Sequence, residues 1–542
     1  MREAPVWSSA HATGRLEAPE AAGQCACSLG IFPRPMDQRS LSERLSMNVA
    51  TPERYAEPDF SHAQIRSIIF GIMLAMLLAA LDQTIVATVL PTIGADLGDF
   101  ANLSWVVTAY LLASTAVTPL YGKLSDIHGR GVIMTAAVVL FTLGSIACAL
   151  APGMLSLVLA RGLQGLGGGG LIAVAQTIVA DVVPPRRRGQ YQAMIAGVFA
   201  TSSIAGPVLG GVIAQHLHWS VIFWINLPLG AGALIMIRKI MDRLPRHERP
   251  HRLDLPGALL LFVAATSLLI ALSWGGVLYA WASGPVLGLL GLSAVGTGAF
   301  VWRMRTATEP FLPLDMLYDR VVAFGTGAAF FVYGIMIALT IATPLYFETA
   351  WHLSTSVAGF ALIPQMAGTV GGAMTSGRAM ARLRNYKLPA LVFLSVSVLS
   401  LAAIALLPQI PRAVQLGLFA MSAFGMGTVL PLTTVAIQNA VPVHRLGTVT
   451  GTANFFRALG GALFVALLGA VLLGALGAGA VGEGAGTLSV LTLHADPARV
   501  LRAFHLTFGV AAAVAFCGLV CVVLMEQRPL RASVHTHPVE PA

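Results

Sequence analysis

Residues Ile68 to Pro91 read IIFGIMLAMLLAALDQTIVATVLP, an apolar run broken by a single carboxylate, Asp82. As a helix rising about 1.5 Å per residue, this run is long enough to cross a hydrocarbon core of roughly 30 Å, and Asp82 falls in or near the membrane. A carboxylate there is costly unless it pairs, protonates or faces a water-filled cavity, which makes it a functional-site candidate by default. What the remaining helices place around Asp82 therefore decides what the chain does.

Composition agrees with a membrane setting. Of 542 residues, 56% are hydrophobic and 11% charged, and the mean hydropathy is +0.77. These values exclude an ordinary soluble protein and imply an all-α polytopic membrane protein. The net charge of +9 sits in short segments between apolar runs, so it carries topology rather than a nucleic-acid-binding face. The 56 glycines suit closely packed membrane helices. Cys25, Cys27, Cys148, Cys517 and Cys521 form no metal or disulfide pattern.

Fourteen apolar segments follow one another, with cores near 68–91, 103–121, 131–151, 153–178, 190–213, 219–238, 255–274, 283–303, 321–346, 356–375, 388–407, 412–436, 449–474 and 504–525. With the N-terminus inside, the cytoplasmic connections hold Lys123 and Arg130, Arg186 to Arg188, the basic stretch 238–252, Arg303, Arg305, Arg320, Arg378 to Lys387, and Arg445. The outer connections hold few basic residues, chiefly Arg412, Arg499 and Arg502. This bias places both termini in the cytoplasm of a multi-pass protein of the cytoplasmic (inner) membrane. The basic stretch 238–252 is expected to meet anionic lipid headgroups. Residues 1–65 show no signal-peptide pattern and read as a disordered cytoplasmic tail, within which Met36 or Met47 can also begin the protein.

An internal repeat is legible. Asp181-Val-Val-Pro184 through Gly189 corresponds to Asn439-Ala-Val-Pro442 through Gly447 at a spacing of 258 residues, which also carries Gly167 to Gly169 onto Gly425 to Gly427. A weaker match, at 255, sets Gly122-Lys123 against Gly377-Arg378. Such spacing predicts an N-terminal six-helix bundle over 66–240, an inserted helix pair over 241–303, a C-terminal six-helix bundle over 304–526 and a cytoplasmic tail over 527–542, with a cavity between the bundles.

Several motifs bear on that cavity. Between helices 2 and 3, Gly122, Asp126, Gly129 and Arg130 form a glycine-flanked charged turn. Asp126 can cap the following turn, pair with Arg130 or reach a basic residue of a nearby helix end, and a contact of this kind can lock one conformation. In helix 4, Arg161 and Gln164 share a face ahead of a glycine run ending at Gly170, and a guanidinium inside the membrane must find acceptors. In helix 5, Gly206, Pro207, Gly210 and Gly211 combine a bend with a flat surface for another helix. Further polar residues that can line a cavity are Gln83, Thr84, Gln176, Asn226, Gln365, Gln438, Asn454 and Arg457. A desolvated carboxylate such as Asp82 can exchange protons at physiological pH, and a nearby cation would displace the proton. No nucleotide loop, metal-ligand cluster or nucleophile elbow is present, so neither enzyme chemistry nor a cofactor is expected, and energy comes from an ion gradient or from a partner.

Together these stretches resemble the major facilitator superfamily, and within it the fourteen-helix drug:proton antiporter family that includes the EmrB and QacA exporters. Leu81-Asp82-Gln83-Thr84 through Pro91 is similar to that family's first-helix signature, which commonly has Asn where this chain has Ala87. Gly122 to Arg130, Arg161 to Gly170, and Ala205-Gly206-Pro207 with Gly210-Gly211 are similar to its loop 2–3, helix 4 and helix 5 motifs. His218 to Gly230 looks like its entry into helix 6. The resemblance spans about residues 66–526 and implies a proton-coupled antiporter that exports amphipathic, including cationic, toxic compounds. It implies Asp82 and Arg161 as the proton-coupling pair and the helix 5 motif as a mark of export rather than import. The loop 377–387 lacks the family's acidic residue, which predicts a weak lock there, and Glu348 is a candidate second acidic site at the outer mouth. Relatives work alone as monomers or with a periplasmic adaptor. Export of one endogenous metabolite, antibiotic or lipid is the nearest alternative, ahead of a proton-coupled importer or a receptor that transports nothing.

Overall fold

A computed structural model describes residues 62–531 apart from 101, 242–253, 277, 308–309, 313–314, 408–409 and 477–496. The tail over 1–61, with Cys25 and Cys27, and the arginines of the 242–252 stretch lie outside the described residues.

Among the described residues fourteen long helices form: α1 His62–Leu97, α2 Trp105–His128, α3 Arg130–Ala149, α4 Met154–Val182, α5 Pro185–His216, α6 Asn226–Met241, α7 Leu255–Trp274, α8 Gly284–Thr306, α9 Arg320–Ala350, α10 Leu362–Arg382, α11 Leu388–Leu406, α12 Arg412–Ala440, α13 Leu446–Leu476 and α14 Pro497–Leu524. Thirteen of these segments are long and apolar enough to cross a membrane. α2 is the exception in composition rather than length, because Trp, Tyr, Thr and Ser dilute its apolar stretch over 24 residues. Several helices overrun their apolar cores. α1 reaches 36 residues because neither Pro nor Gly lies between His62 and Ile68 and Pro91 is absorbed into its last turns. α6 instead splits, with a single turn at Val221–Trp224 ahead of it.

Hydrophobic burial supplies little drive between helices in lipid, so close packing and polar contacts must hold the helices together. Helices α1 to α6 share a core built on Ile72, Met76, Val138, Phe141, Val174 and Ile178. Helices α9 to α14 share another, built on Val332, Tyr346, Phe419, Leu432, Phe464 and Phe508. α7 and α8 pack on each other, and α7 also lies against α2 and α13. The glycine run of α4 forms no break in that helix. Its members face α2 and α3: a Cβ at Gly165 would stand 2.5 Å from the Tyr110 carbonyl oxygen, and one at Gly170 2.6 Å from the Tyr121 ring.

The two sets meet at the arginine-rich end. α2 crosses α13 where Gly122 lies against Gly447, and any Cβ on Gly122 would collide with the Gly447 carbonyl. α5 crosses α10 where a Cβ on Gly377 would stand 2.5 Å from the Gly189 carbonyl oxygen. The repeat relates Gly122 to Gly377 and Gly189 to Gly447, so each half offers its own pair of glycines to the other half's counterpart. An apolar cluster of Ala180, Val322, Ile437, Val441, Leu446 and Val449 closes the same end.

Because backbone, not a flexible side chain, faces Gly122, the crossing cannot absorb a larger residue. Gly122→Val is expected to drive the basic ends apart. Spin labels at the exposed positions His128 and Arg384 should then show a longer distance by double electron–electron resonance. An unaltered distance distribution would show that this crossing does not hold the end closed.

Candidate functional site

Asp82 lies at the middle of α1 and points into the interior of the first helix set, 3% exposed. Its carboxylate is enclosed by donors. Arg161 of α4 reaches Oδ2 through Nη1 at 2.7 Å, while Gln164 Nε2 and Asn226 Nδ2 donate to Oδ1 at 2.8 and 3.0 Å. Arg161 also donates from Nε to the Val106 carbonyl at 3.0 Å and from Nη1 to Gln164 Oε1 at 2.6 Å. Its guanidinium carbon lies 4.4 Å from the Tyr110 ring centroid, giving the cation an aromatic face as well as hydrogen-bond acceptors. Ser145 of α3 accepts from Asn226 at 2.8 Å and donates to the Phe223 carbonyl at 2.9 Å. Five helices, α1 to α4 and α6, thus converge on one buried, charge-neutral cage.

Several polar residues of the sequence pattern belong to this cage or to helix packing instead of a cavity. Gln164 and Asn226 close around Asp82, because their offset along α4 and α6 turns them toward α1. Thr84 donates to the Ser202 carbonyl of α5 at 2.9 Å. Gly206 seats directly on Thr84, and Gly210 stands against Thr88, so this helix 5 surface meets α1 of its own set rather than the opposite set. Pro207 is exposed, and Gly211 has open space where a Cβ would be. Gln83, next along α1 from the cage, is partly exposed. Gln365 is buried on α10 with an unpartnered Oε1. Glu348 lies within the last turn of α9 and is partly exposed.

The loop 2–3 motif forms a second polar cluster. Arg130 donates to Asp126 and, from Nε, to Asp181 of α4 at 2.8 Å. Asp126 accepts at the same time from the Gly447 and Thr448 backbone N–H groups, at 2.9 and 2.7 Å, and from Thr448 Oγ1 at 2.6 Å. It therefore caps the first turn of α13 across the junction, where a carboxylate also meets the positive end of the helix dipole. Gly129, at φ 88, supplies the left-handed turn that lets α2 end and α3 begin within one residue.

Between α4, α12 and α13 lies a recess lined by Gln176, Thr434, Ile437, Gln438, Thr450, Ala453, Asn454 and Arg457. Asn454 donates to Gln176 Oε1 at 3.0 Å across the two sets. No group of three or more His, Cys, Asp or Glu able to hold a metal occurs among the described residues.

Residues 72–465 match the family model for the Major Facilitator Superfamily. The chain belongs to that superfamily. Within this superfamily it is 36% identical over 412 residues to Multidrug resistance protein 3 of Bacillus subtilis (strain 168), covering 76% of this chain and 80% of that one. It is 33% identical over 408 residues to Multidrug transporter protein MdtP of the same organism, covering 74% of each. Its fold is similar to the crystal structure of the human organic anion transporter MFSD10 (TETRAN), with a TM-score of 0.59 at 16% identity over 84% of this chain and 99% of that one. The chain is thus a multi-pass membrane transporter and not an enzyme.

In this major facilitator chain the equivalent of the loop 2–3 cluster in the second half has a different composition. Where Asp181 receives Arg130, the repeat-related Asn439 receives Arg531 from beyond α14, through Nε to Oδ1 at 3.3 Å and through Nη2 to the Asn439 and Val441 carbonyls at 2.8 and 3.1 Å. Residues 525–531 reach there as a strap. Arg528 pairs with Asp319 at 2.7 Å, and Tyr386 donates to the Arg528 carbonyl at 2.7 Å. Burial pushes the Tyr386 phenol up to about 12, so it stays a donor. Sequence reasoning missed Ser145, Thr448 and Arg531. A lone serine in an apolar helix and an arginine in a polar tail carry no signal, whereas Asp181 could have been found as an acid at the end of a repeated motif.

Removing one partner of a buried ion pair leaves the other uncompensated, typically at a cost of 3–5 kcal/mol. Arg161→Met should therefore lower stability by about that much. Adding Asp82→Asn to Arg161→Met should recover most of the loss, as read by thermal unfolding in detergent. Additive losses would show that the two charges do not couple.

Proposed function

We propose that the chain is a proton-coupled antiporter that exports amphipathic drug-like compounds across the cytoplasmic membrane, working as a monomer. The names of its Bacillus relatives support drug export, and the buried Asp82–Arg161 pair supports the proton site. On this reading the N-terminal bundle spans 66–240, the inserted pair 241–303 and the C-terminal bundle 304–526. The basic end is cytoplasmic, as the distribution of arginines argues. Glycine crossings and the Asp126 cap close that end in the present arrangement.

The observation that carries the reading is that every hydrogen-bonding neighbour of the Asp82 carboxylate is a donor. As an anion Asp82 neutralises Arg161 and the cage carries no net charge. A proton taken from the outside breaks that match: the carboxyl gains a donor, Arg161 keeps only Gln164, Val106 and the aromatic faces, and the cage carries one positive charge. In a low-dielectric interior such a change disfavours the present packing of α1 against α4, which biases the bundles toward the inward-facing arrangement. Substrate loading from the cytoplasm and release of the proton there complete the exchange.

In inverted vesicles with an acidic interior, wild type should accumulate an amphipathic dye and discharge the gradient as it does so. Asp82→Asn, at matched expression, should lower gradient-driven uptake by at least tenfold and abolish substrate-induced proton movement. Coupled uptake at the wild-type rate in this variant would remove Asp82 from the proton path.

A further inference from the structure

Arg457 stands eleven residues into α13, about 16 Å along its axis from the basic end and so near the middle of a hydrocarbon core of roughly 30 Å. Its surroundings differ from those of Arg161 in the cage and Arg130 in the junction, which meet carboxylates, and from those of Arg188, which meets the Val183 and Ala180 main-chain carbonyls. Arg161 meets Asp82, and Arg130 meets Asp126 and Asp181. Arg457 has no carboxylate partner among the described residues. One Nη2 hydrogen bond reaches Thr434 Oγ1 at 3.0 Å, the Tyr333 ring centroid lies 5.7 Å from the guanidinium carbon, and Nε is buried with no acceptor.

The guanidinium borders the recess between the two helix sets, and the other polar lining groups, Gln176, Thr434, Gln438, Thr450 and Asn454, are all neutral. The formal charge of the lining is therefore one positive charge. Gln176, Gln438, Thr450 and Asn454 bond mainly to one another, which leaves them little demand for a ligand: Gln438 donates to Thr450 at 3.2 Å and Asn454 to Gln176 at 3.0 Å. The unmet donor belongs to Arg457 alone. An uncompensated cation with a vacant N–H, in surroundings of low dielectric, attracts an anion and repels a cation more strongly than it would in water. A planar guanidinium also matches a carboxylate or sulfonate with two parallel hydrogen bonds.

We propose that this recess is a substrate subsite selecting amphipathic organic anions, with Arg457 receiving the carboxylate or sulfonate and the Tyr333 ring flanking the charged group. The proposal rests on the export reading for its physiological meaning, and it narrows the amphipathic compounds expected from resemblance to the anionic class. Thr434, hydrogen-bonded to Arg457, is the positioning residue: it holds one edge of the guanidinium and leaves the Nε edge for the ligand.

The test uses the full chain in phosphatidylcholine nanodiscs with two fluorescent probes of equal length, N-dansyl-6-aminohexanoate and N-dansyl-1,6-diaminohexane. Wild type is expected to bind the carboxylate at least tenfold more tightly than the amine. Arg457→Gln should abolish that preference, Arg457→Lys should retain part of it, and Arg457→Glu should reverse it. Equal binding of both probes by wild type, which needs no variant to fold, overturns the proposal, as does an unchanged ratio in Arg457→Gln. Gradient-driven uptake of the same probes into inverted vesicles separates this idea from the export reading. An Arg457-dependent carboxylate preference without gradient-driven uptake leaves the subsite standing and removes export. Gradient-driven uptake of both probes alike, unchanged in Arg457→Gln, leaves export standing and removes the subsite.

Discussion

Charge inside hydrocarbon must be answered by charge or by hydrogen bonds, and the salt bridge between Asp82 and Arg161 is where this chain meets that constraint most completely. The pair joins α1 to α4, and its amide and hydroxyl neighbours bring in α3 and α6. No single helix could satisfy either ion. The first helix set is therefore assembled around a polar centre that lipid cannot replace, with the glycine run of α4 letting α2 and α3 approach closely enough for the Val106 carbonyl and the Tyr110 ring to reach Arg161. Small residues and the buried pair are two parts of one solution: the first permits the distance that the second needs.

Much of this was legible in the residue pattern because membrane insertion leaves a coarse signal. Helix number, the gathering of arginines at one end and the repeat spacing follow from length and charge, and Asp82 and Arg161 stand out because ionised residues are rare in such segments. Partnership was less legible. Gln164 and Asn226 looked like cavity residues, since polarity alone does not say whether a side chain turns inward to its own bundle or outward to a space. The orientation of Gly206 and Gly210 toward α1 was hidden for the same reason: a flat glycine face fits any neighbour, and only the tertiary arrangement names it. Ser145 and the strap were invisible, one because serine is common in apolar helices and the other because its anchoring depends on main-chain carbonyls that no residue type announces.

The repeat gives the junction its logic. Gly122 meets Gly447 and Gly377 meets Gly189, so the two halves exchange equivalent surfaces about an approximate two-fold relation. On the antiport reading proposed above, such an exchange lets the two crossings open and close together, since motion of one half against the other loosens both by the same displacement. The close backbone contact also means that closure is steric and all-or-none at these points, in keeping with interfaces that have two discrete packings rather than a continuum.

The strap that carries Arg531 to Asn439 breaks this equivalence. In the first half the latch is ionic, an aspartate held between an arginine and a helix end, so anything that alters the charge of Asp126 or Asp181 acts on it directly. In the second half the same place is filled by a neutral amide and main-chain carbonyls, whose charge state is fixed over the whole biological range. The two leaves of the junction therefore rest on different chemistry: carboxylates of the helices in the first, and in the second an arginine of the segment after α14, which the Arg528–Asp319 pair helps to hold. A door with two such leaves is hung unequally: one is fastened by side chains of the helices themselves, and the other only once the segment after α14 lies across it.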